Sequence, residues 1–191
     1  MRLQAALLPP EDVQVDLAAV AASVPGGGEQ LTLVPAHLLH LRLANFGEVS
    51  LGDAARVRSM LQREIAQQPA MSFRFRGGVA LEPLGDNSVW AKLEGDVEQL
   101  TGTANMTARV VRRLGFVVDR RLPRTLVRLG RITPTTTETY LQRLLDRLDA
   151  YAGPEWVCSD LALLRTSDVT QEGILLFEVV ERFRLQSGDL T

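Results

Sequence analysis

The stretch that decides the fold is LVPAHLLHLRLANFGEV, residues 33–49. Residues 38–44 alternate in the way that is typical of a strand, because successive side chains of a strand point to opposite faces. One face is apolar and consists of Leu39, Leu41 and Leu43. The other face carries His40 and Arg42, and a hydrophobic core rarely accommodates such groups. We therefore predict a strand over 38–44 with one core face and one cationic or titratable face.

A second strand of the same character is predicted at 124–131. Its core face consists of Thr125, Val127 and Leu129, and its other face of Arg124, Leu126 and Arg128. A solvent-facing side of an antiparallel sheet would explain both strands. A single concave, positively charged surface lined by both would explain them equally well. Arginine suits that second interpretation, because its planar guanidinium can grip a phosphate through two parallel hydrogen bonds.

Each of these strands is followed by a helix and two strands. After the first we predict a helix capped by Ser50, strands around Phe73 and over 88–93, and a helix over 97–114. After the second we predict a helix capped by Thr133, with Pro134 at its first position, and then strands over 157–165 and 174–185. The repeated order predicts an α+β fold over residues 1–191, a single bilobal domain with pseudo-twofold duplication. Each lobe is an antiparallel sheet with flanking helices, and a cleft lies between the lobes.

The composition excludes several classes of protein. The chain has 191 residues, is 46% hydrophobic and has a net charge of −2. It can therefore bury a core, and it is not a basic nucleic-acid coat, so any site for a polyanion must be local and we expect no DNA partner. With one cysteine and two histidines, neither a disulfide framework nor a cysteine- or histidine-rich metal site is expected.

The opening residues do not read as a targeting signal. The apolar run over 1–8 is cut off by Pro9 and Pro10, so it lacks the hydrophobic region of a signal peptide. No apolar run approaches the ~18 residues that a membrane span needs. We expect a cytoplasmic protein with no membrane partner and no cofactor, and the sequence gives no indication of oligomeric state.

Several stretches together resemble the two-histidine phosphoesterases, in particular the bacterial 2′-5′ RNA ligase and RNA 2′,3′-cyclic phosphodiesterase branch. The similarity lies in residues 33–49 and in Met1-Arg-Leu with Leu8-Pro-Pro-Glu11, Met71-Ser-Phe-Arg-Phe-Arg-Gly77, Val89-Trp90-Ala-Lys-Leu93 and the closing residues 161–185. These stretches follow one another in the family's order over nearly the whole chain. The resemblance implies the bilobal fold with its cleft.

The resemblance also implies where chemistry would occur. The family uses two His-x-Thr/Ser tripeptides on facing strands, in which one histidine acts as a base, the other as an acid, and the hydroxyl groups hold the phosphate. Here the first tripeptide is His40-Leu41-Arg42 and the second falls on Arg124-Thr125-Leu126, so both motifs are altered. A positioned acid or base contributes roughly 10²–10⁴-fold, and arginine does not exchange protons near neutral pH.

From these residues we expect a basic cleft that binds a phosphorylated small molecule or an RNA end, with catalysis weakened or lost. His40 would donate to a phosphate oxygen, and Arg42, Arg124 and Arg128 would neutralise its charge. Two alternatives remain at this point. One is an active RNA 2′,3′-cyclic phosphodiesterase with His40 as its sole acid or base and the arginines stabilising the transition state. The other is a protein-interaction module that uses the cleft or the arginine-rich surface for an acidic partner.

Other features of the sequence have ordinary interpretations. His37 is expected in an exposed loop, and Cys158 in the core rather than as a nucleophile. Lys92-Leu93-Glu94-Gly95 matches the adenylylation motif of ATP-dependent ligases only superficially, because no companion motifs follow. The arginines over 112–131 form either a local polyanion surface or a solvated helix end and loop.

Overall fold

The computed structural model describes residues 1–80, 87–117, 125–171 and 173–186. The strands are β1 (Arg2–Leu7), β2 (Leu31–Leu33), β3 (Leu41–Glu48), β4 (Met71–Ala80), β5 (Ser88–Gly95), β6 (Leu126–Ile132), β7 (Trp156–Cys158), β8 (Asp160–Val169) and β9 (Leu175–Arg184). The helices are α1 (Glu11–Ala22), α2 (Gly27–Gln30), α3 (Leu51–Ile65), α4 (Val97–Arg113) and α5 (Glu138–Asp149).

The strands form two sheets. One has the order β3-β1-β8-β9 and the other the order β2-β6-β5-β4-β7. Neighbouring strands within each sheet run antiparallel. Each sheet therefore takes strands from both halves of the chain, and the two lobes cannot be separated by a single cut.

The duplication explains this exchange of strands. β3 belongs to the four-stranded sheet, and after α3 the hairpin β4–β5 belongs to the five-stranded sheet. β6 belongs to the five-stranded sheet, and after α5 the hairpin β8–β9 belongs to the four-stranded sheet. The two halves thus make the same crossing in opposite directions, which is a pseudo-twofold relation. The predicted two-lobed α+β architecture is confirmed.

The core faces of the two motif-bearing strands lie where their alternation predicts. Leu41 and Leu43 of β3 are fully buried, and so are Val127 and Leu129 of β6. Helices α3 and α4 pack on the four-stranded sheet, through β9 and β3, and α5 packs on β4 of the other sheet. The helices therefore cover the apolar faces of the sheets, and the residues between these apolar positions face the other way.

The predicted boundaries need three main corrections. The strand predicted over 157–165 divides into β7 and β8, which belong to different sheets. The first strand begins at Leu41 and not at residue 38, because Ala36–Leu38 form a 3₁₀ turn in which the Leu38 and Leu39 amides donate to the carbonyls of Pro35 and Ala36. The last helix begins at Glu138 with Thr137 as its cap, because the Thr133 hydroxyl instead donates to the Glu29 carbonyl. The Ser50 cap of α3 is confirmed, since its hydroxyl accepts from the Asp53 amide at 3.1 Å.

Candidate phosphate-binding cavity

A cavity of about 430 Å³ is lined by both sheets. Its walls are formed by Val34, Leu38, His40, Arg42, Asn87, Trp90, Arg128, Arg131, Val169, Gly173, Ile174 and Leu175. The structure thus brings together three of the residues that the sequence singles out, His40, Arg42 and Arg128. Arg124, the fourth, lies outside the described residues.

His40 is held at the wall directly before β3. Its Nδ1 lies 2.8 Å from the Leu38 carbonyl oxygen, and because a carbonyl only accepts, Nδ1 carries the proton. The other ring nitrogen, Nε2, is buried and has no hydrogen-bond partner among the described residues. The ring of Phe177 packs edge-on against the imidazole, with centroids 4.9 Å apart.

The surroundings of His40 keep its imidazole neutral. The pKa of His40 is lowered to about 4, chiefly by burial and to a lesser extent by the positive charges of Arg42 and Arg128, and the hydrogen bond to Leu38 opposes part of this effect. At neutral pH the ring therefore has one proton, on Nδ1, and a lone pair on Nε2. The expectation that His40 donates to a phosphate oxygen does not fit this geometry, because its only N–H already donates to Leu38.

Arg42 and Arg128 meet at Trp90. The guanidinium carbons of Arg42 and Arg128 lie 5.9 and 5.4 Å from the centroid of the Trp90 ring. Arg42 comes from β3 of one sheet, whereas Arg128 and Trp90 are directly paired across β6 and β5 of the other. Trp90 is itself only 2% exposed, and its indole N–H has no acceptor among the described residues. A cation over the face of an indole ring is attracted to it, so the tryptophan positions both charges.

The connection between β8 and β9 reaches the same wall. Arg128 donates to the Gly173 carbonyl at 3.3 Å. Gly173 has a φ of +82°, and a Cβ at this position would lie 2.7 Å from Nη1 of Arg131. A side chain here would therefore be strained and would displace Arg131. The positive φ and the close contact both explain a glycine at this position.

Among the lining residues that sequence reasoning missed are Trp90, Arg131 and Gly173. Trp90 lies in the predicted strand over 88–93, but alternation within one strand does not show that it meets arginines from two other strands. Arg131 was part of the arginine-rich segment 112–131, in which Arg112 and Arg113 are exposed at the end of α4. The arginines of this segment therefore do not form one surface. Arg112 and Arg113 are exposed at a helix end, whereas Arg128 and Arg131 line the cavity.

A second cavity, of about 370 Å³, is lined by His37 and Cys158, which the sequence predicts in an exposed loop and in the core. His37 lines it, exposed as predicted, although it lies in the 3₁₀ turn rather than in an open loop. Cys158 lines it too and is 4% exposed, and burial raises the pKa of its thiol to about 12. The predicted burial of Cys158 is confirmed. Its lack of reactivity stays a prediction.

Membrane-crossing helices and metal clusters are both absent from the part of the chain that the structure describes. None of the helices described there has the length and apolar character needed to cross a membrane. Within the same residues, no three histidine, cysteine or acidic side chains lie close enough together to hold a metal ion.

The fold has known counterparts, although sequence comparison alone does not find them. No protein-family model matches the chain, and no curated protein matches it. The crystal structure of TT0787 from Thermus thermophilus superposes with a TM-score of 0.76 at 22% identity and covers 98% of this chain and 99% of its own. A crystal structure of a phosphoesterase gives 0.75 at 20% identity, with 97% and 98% covered.

E. coli LigT completes the comparison. Its complex with 3′-AMP gives a TM-score of 0.75 at 20% identity, with 96% of this chain and 97% of LigT covered. LigT has also been crystallised with ATP and with phosphate. The similarity extends over essentially the whole of each chain, so both lobes and their arrangement are shared. This chain has the two-lobed fold of the two-histidine phosphoesterases.

Proposed function

We propose that this protein binds a phosphorylated ligand in the cavity between its two sheets, with phosphoesterase catalysis weakened or lost. One observation carries the proposal: Arg42 and Arg128, from different sheets, meet over Trp90 in a cavity that His40 also lines. Guanidinium groups suit a phosphate because their N–H donors form a planar fork that matches two of its oxygens.

The known structures of this fold support a phosphorylated ligand. LigT has been crystallised with 3′-AMP, ATP and phosphate. The cavity described here has room for a group of that size, since small-molecule sites occupy about 300–1,000 Å³. The ligand would be a phosphorylated small molecule, such as a nucleotide or a cyclic phosphate, or the phosphorylated end of an RNA.

The state of His40 supports weak or absent catalysis. A symmetric acid–base mechanism needs a protonated and an unprotonated group on opposite sides of the phosphate. With a pKa of about 4, His40 is almost entirely unprotonated at neutral pH and is a poor acid there. Its Nε2 is also buried, so a reacting hydroxyl group could reach it only after a rearrangement.

We also infer a different position for the second altered motif. Leu41-Arg42-Leu43 and Val127-Arg128-Leu129 each place an arginine at the cavity between two buried residues. When the two tripeptides are aligned on Arg42 and Arg128, Leu126 takes the position that His40 has in the first. A leucine side chain cannot act as an acid or a base. We infer that the second motif is Leu126-Val127-Arg128 rather than Arg124-Thr125-Leu126, and the role of Arg124 stays a prediction.

Two double variants distinguish these placements. Leu126→His with Arg128→Thr rebuilds a histidine and a hydroxyl group at the position inferred from the structure. Arg124→His with Leu126→Thr rebuilds them at the position inferred from the sequence. Turnover of a 2′,3′-cyclic nucleotide should appear in the first variant and not in the second, and the opposite result would contradict the new placement.

The proposal is tested by combining binding with turnover. Adenosine 3′-monophosphate is titrated by calorimetry into the wild-type protein and into Arg42→Gln, Arg128→Gln and the control Arg143→Gln, whose side chain is exposed on α5. We expect each cavity variant to weaken binding by about tenfold or more, because charge-assisted hydrogen bonds to phosphate are lost. The control should bind like the wild-type protein.

Turnover of 2′,3′-cyclic nucleotides and of an RNA oligomer ending in a cyclic phosphate is measured beside His40→Gln. We expect no turnover from either protein. Turnover that disappears in His40→Gln would establish the active phosphodiesterase instead. If no phosphorylated ligand binds at all, the interaction module becomes the better explanation.

A further inference from the structure

We propose that Phe177 is a positioning residue that keeps His40 inert, because its ring holds the imidazole in a place where Nε2 is closed off from solvent and from ligands. The proposed function ascribes weak or absent catalysis to the state of His40. This inference rests on that function and names the side chain that imposes the state. A smaller side chain at position 177 would return the imidazole to its ordinary reactivity.

The ring of Phe177 is fixed where it meets the imidazole. It packs on a small apolar cluster that is fully buried and separate from the main core, formed by Ala6, Ala162 and Leu164. Its contact with His40 is edge-on, with ring centroids 4.9 Å apart and an angle of 70° between the ring planes. Because protein interiors are densely packed, a ring seated on such a cluster has little freedom to turn away. Phe177 therefore forms a rigid boundary for His40.

The other side of His40 is held independently of Phe177. The side-chain amide of Gln14 donates to the Leu39 carbonyl at 2.9 Å, and Nδ1 of His40 donates to the Leu38 carbonyl at 2.8 Å. Nε2 has no such bond among the described residues, although it is buried. Burying a nitrogen without a hydrogen bond is unfavourable, so packing must impose the position of Nε2. The aromatic contact with Phe177 supplies that packing.

His40 and Phe177 together separate the two cavities. Leu38 and His40 line the first cavity, of about 430 Å³, whereas His37 and Phe177 line the second, of about 370 Å³. Removing the ring of Phe177 would therefore open a space beside the imidazole that is continuous with the second cavity. Charged side chains also line that cavity, so water would enter the new space. The imidazole would then be hydrated from the side that Phe177 now covers.

Hydration would restore part of the ordinary titration of His40. Burial is the largest cause of its lowered pKa, and the charges of Arg42 on β3 and Arg128 on β6 are smaller causes. Truncating the uncharged ring on β9 removes burial and leaves both guanidiniums in place. We therefore expect the pKa to rise from about 4 to about 5 or above and to stay below the ordinary 6.5. A purely structural role for Phe177 would not move this pKa.

Diethyl pyrocarbonate tests the inference, because it acylates only an accessible and unprotonated imidazole nitrogen. At about pH 7.5 His40 is neutral in every variant, so the rate of acylation measures access and not protonation. All proteins carry His37→Gln, which leaves His40 as the only imidazole. We expect Phe177→Ala to raise the rate about tenfold or more, because without this change the reagent reaches Nε2 only in locally opened molecules.

Two further variants control the experiment. Leu176 precedes Phe177 on β9, points to the opposite face and is 42% exposed, so Leu176→Ala should change neither the rate nor the pKa of His40. Phe177→Leu keeps an apolar side chain of intermediate size and should give a rate between those of phenylalanine and alanine. It provides the comparison if circular dichroism shows that Phe177→Ala does not fold. NMR titration of each variant measures the pKa.

Three results would overturn the inference. Equal acylation rates in the Phe177 variants and in the protein that keeps Phe177, or an unchanged pKa of His40, would show that other side chains enclose the imidazole. An equal rise of the rate in Leu176→Ala would show that the substitutions loosen β9 as a whole. Neither measurement uses a phosphorylated ligand, so each of these results leaves ligand binding standing. Failure of the ligand to bind would refute the proposed function and leave the contact between Phe177 and His40 to be judged by its own test.

Discussion

Trp90 and Arg128 face each other as directly paired residues of β5 and β6, and the guanidinium of Arg128 lies 5.4 Å from the centre of the indole ring. Arg42 reaches the same ring from the other sheet, at 5.9 Å. A single buried aromatic side chain thus connects the positive charges of the two lobes.

Truncating Trp90 should disturb both stability and binding. In Trp90→Ala we expect the free energy of unfolding to fall by about 3–5 kcal/mol, because a large buried side chain is removed. Urea unfolding followed by far-ultraviolet circular dichroism measures this loss. Trp90→Phe is the matched control, since it keeps an aromatic face for both arginines and should retain most of the affinity for a phosphorylated ligand. Equal stability of Trp90→Ala and the wild-type protein would show that the ring is not a packing centre.

His40 should remain neutral over the physiological range. We predict that its ring resonances in an NMR titration do not move between about pH 8 and pH 6, and begin to move only on approach to its pKa of about 4. Replacing the other histidine, in His37→Gln, leaves His40 as the only imidazole and makes the assignment unambiguous. A midpoint near the ordinary 6.5 would contradict the burial described for Nε2.

The same pKa makes the fold less stable in acid. The unfolded chain binds a proton at His40 below about pH 6.5, whereas the folded chain does not until about pH 4. The unfolded state therefore holds more protons in this interval, so stability falls as the pH is lowered through it, by up to about 3 kcal/mol in total. The neutral variant His40→Gln should lose less stability than the wild-type protein between about pH 7 and pH 4, as urea unfolding would measure. Identical losses in the two proteins would contradict the prediction.

Gly95 and Gly102 should respond in opposite directions to alanine. Gly95 has a φ of +117°, and a Cβ there would collide with the backbone carbonyl oxygen of Ser72 on the neighbouring strand. We expect Gly95→Ala to cost about 2 kcal/mol or more. Gly102 lies within α4 with open space around it, so Gly102→Ala should stabilise the protein by about 0.5–1 kcal/mol. Thermal unfolding of the two variants measures both effects, and a stable Gly95→Ala would show that the strands can separate there at little cost.

Cys158 should be unreactive in the folded protein. Its thiol is buried, its pKa is raised to about 12, and it donates to the Asp160 carbonyl at 3.2 Å. Because the thiolate is the reactive form, a disulfide reagent such as DTNB should react about 10²-fold or more slowly with the native protein than with the protein in guanidinium chloride. The variant Cys158→Ser has no thiol and gives the background signal of the assay. Equal rates in the native and denatured states would refute the prediction.

Local patterns in the sequence were sufficient to predict most of the elements and the faces of the two decisive strands. The alternation of Leu41 and Leu43 with Arg42, and of Val127 and Leu129 with Arg128, distinguishes core from cavity, because side chains on a strand have a period of two. The Ser50 cap is equally local, since a hydroxyl group three residues before an amide is all it requires. The start of α5 was predicted four residues too early, because the Thr133 hydroxyl bonds to Glu29, which is distant in sequence.

The sequence alone therefore determined that Arg42 and Arg128 would lie on the faces opposite the core, since burial of leucine and valine fixes the orientation of each strand. Only the tertiary structure decided what those residues do together. The crossing of strands between the lobes brings arginines 42 and 128 to one tryptophan, and the enclosure of His40 by Phe177 and two guanidiniums lowers the pKa of its imidazole. Both effects depend on contacts between residues that are far apart in the chain. The alternation of residues along one strand cannot predict such contacts.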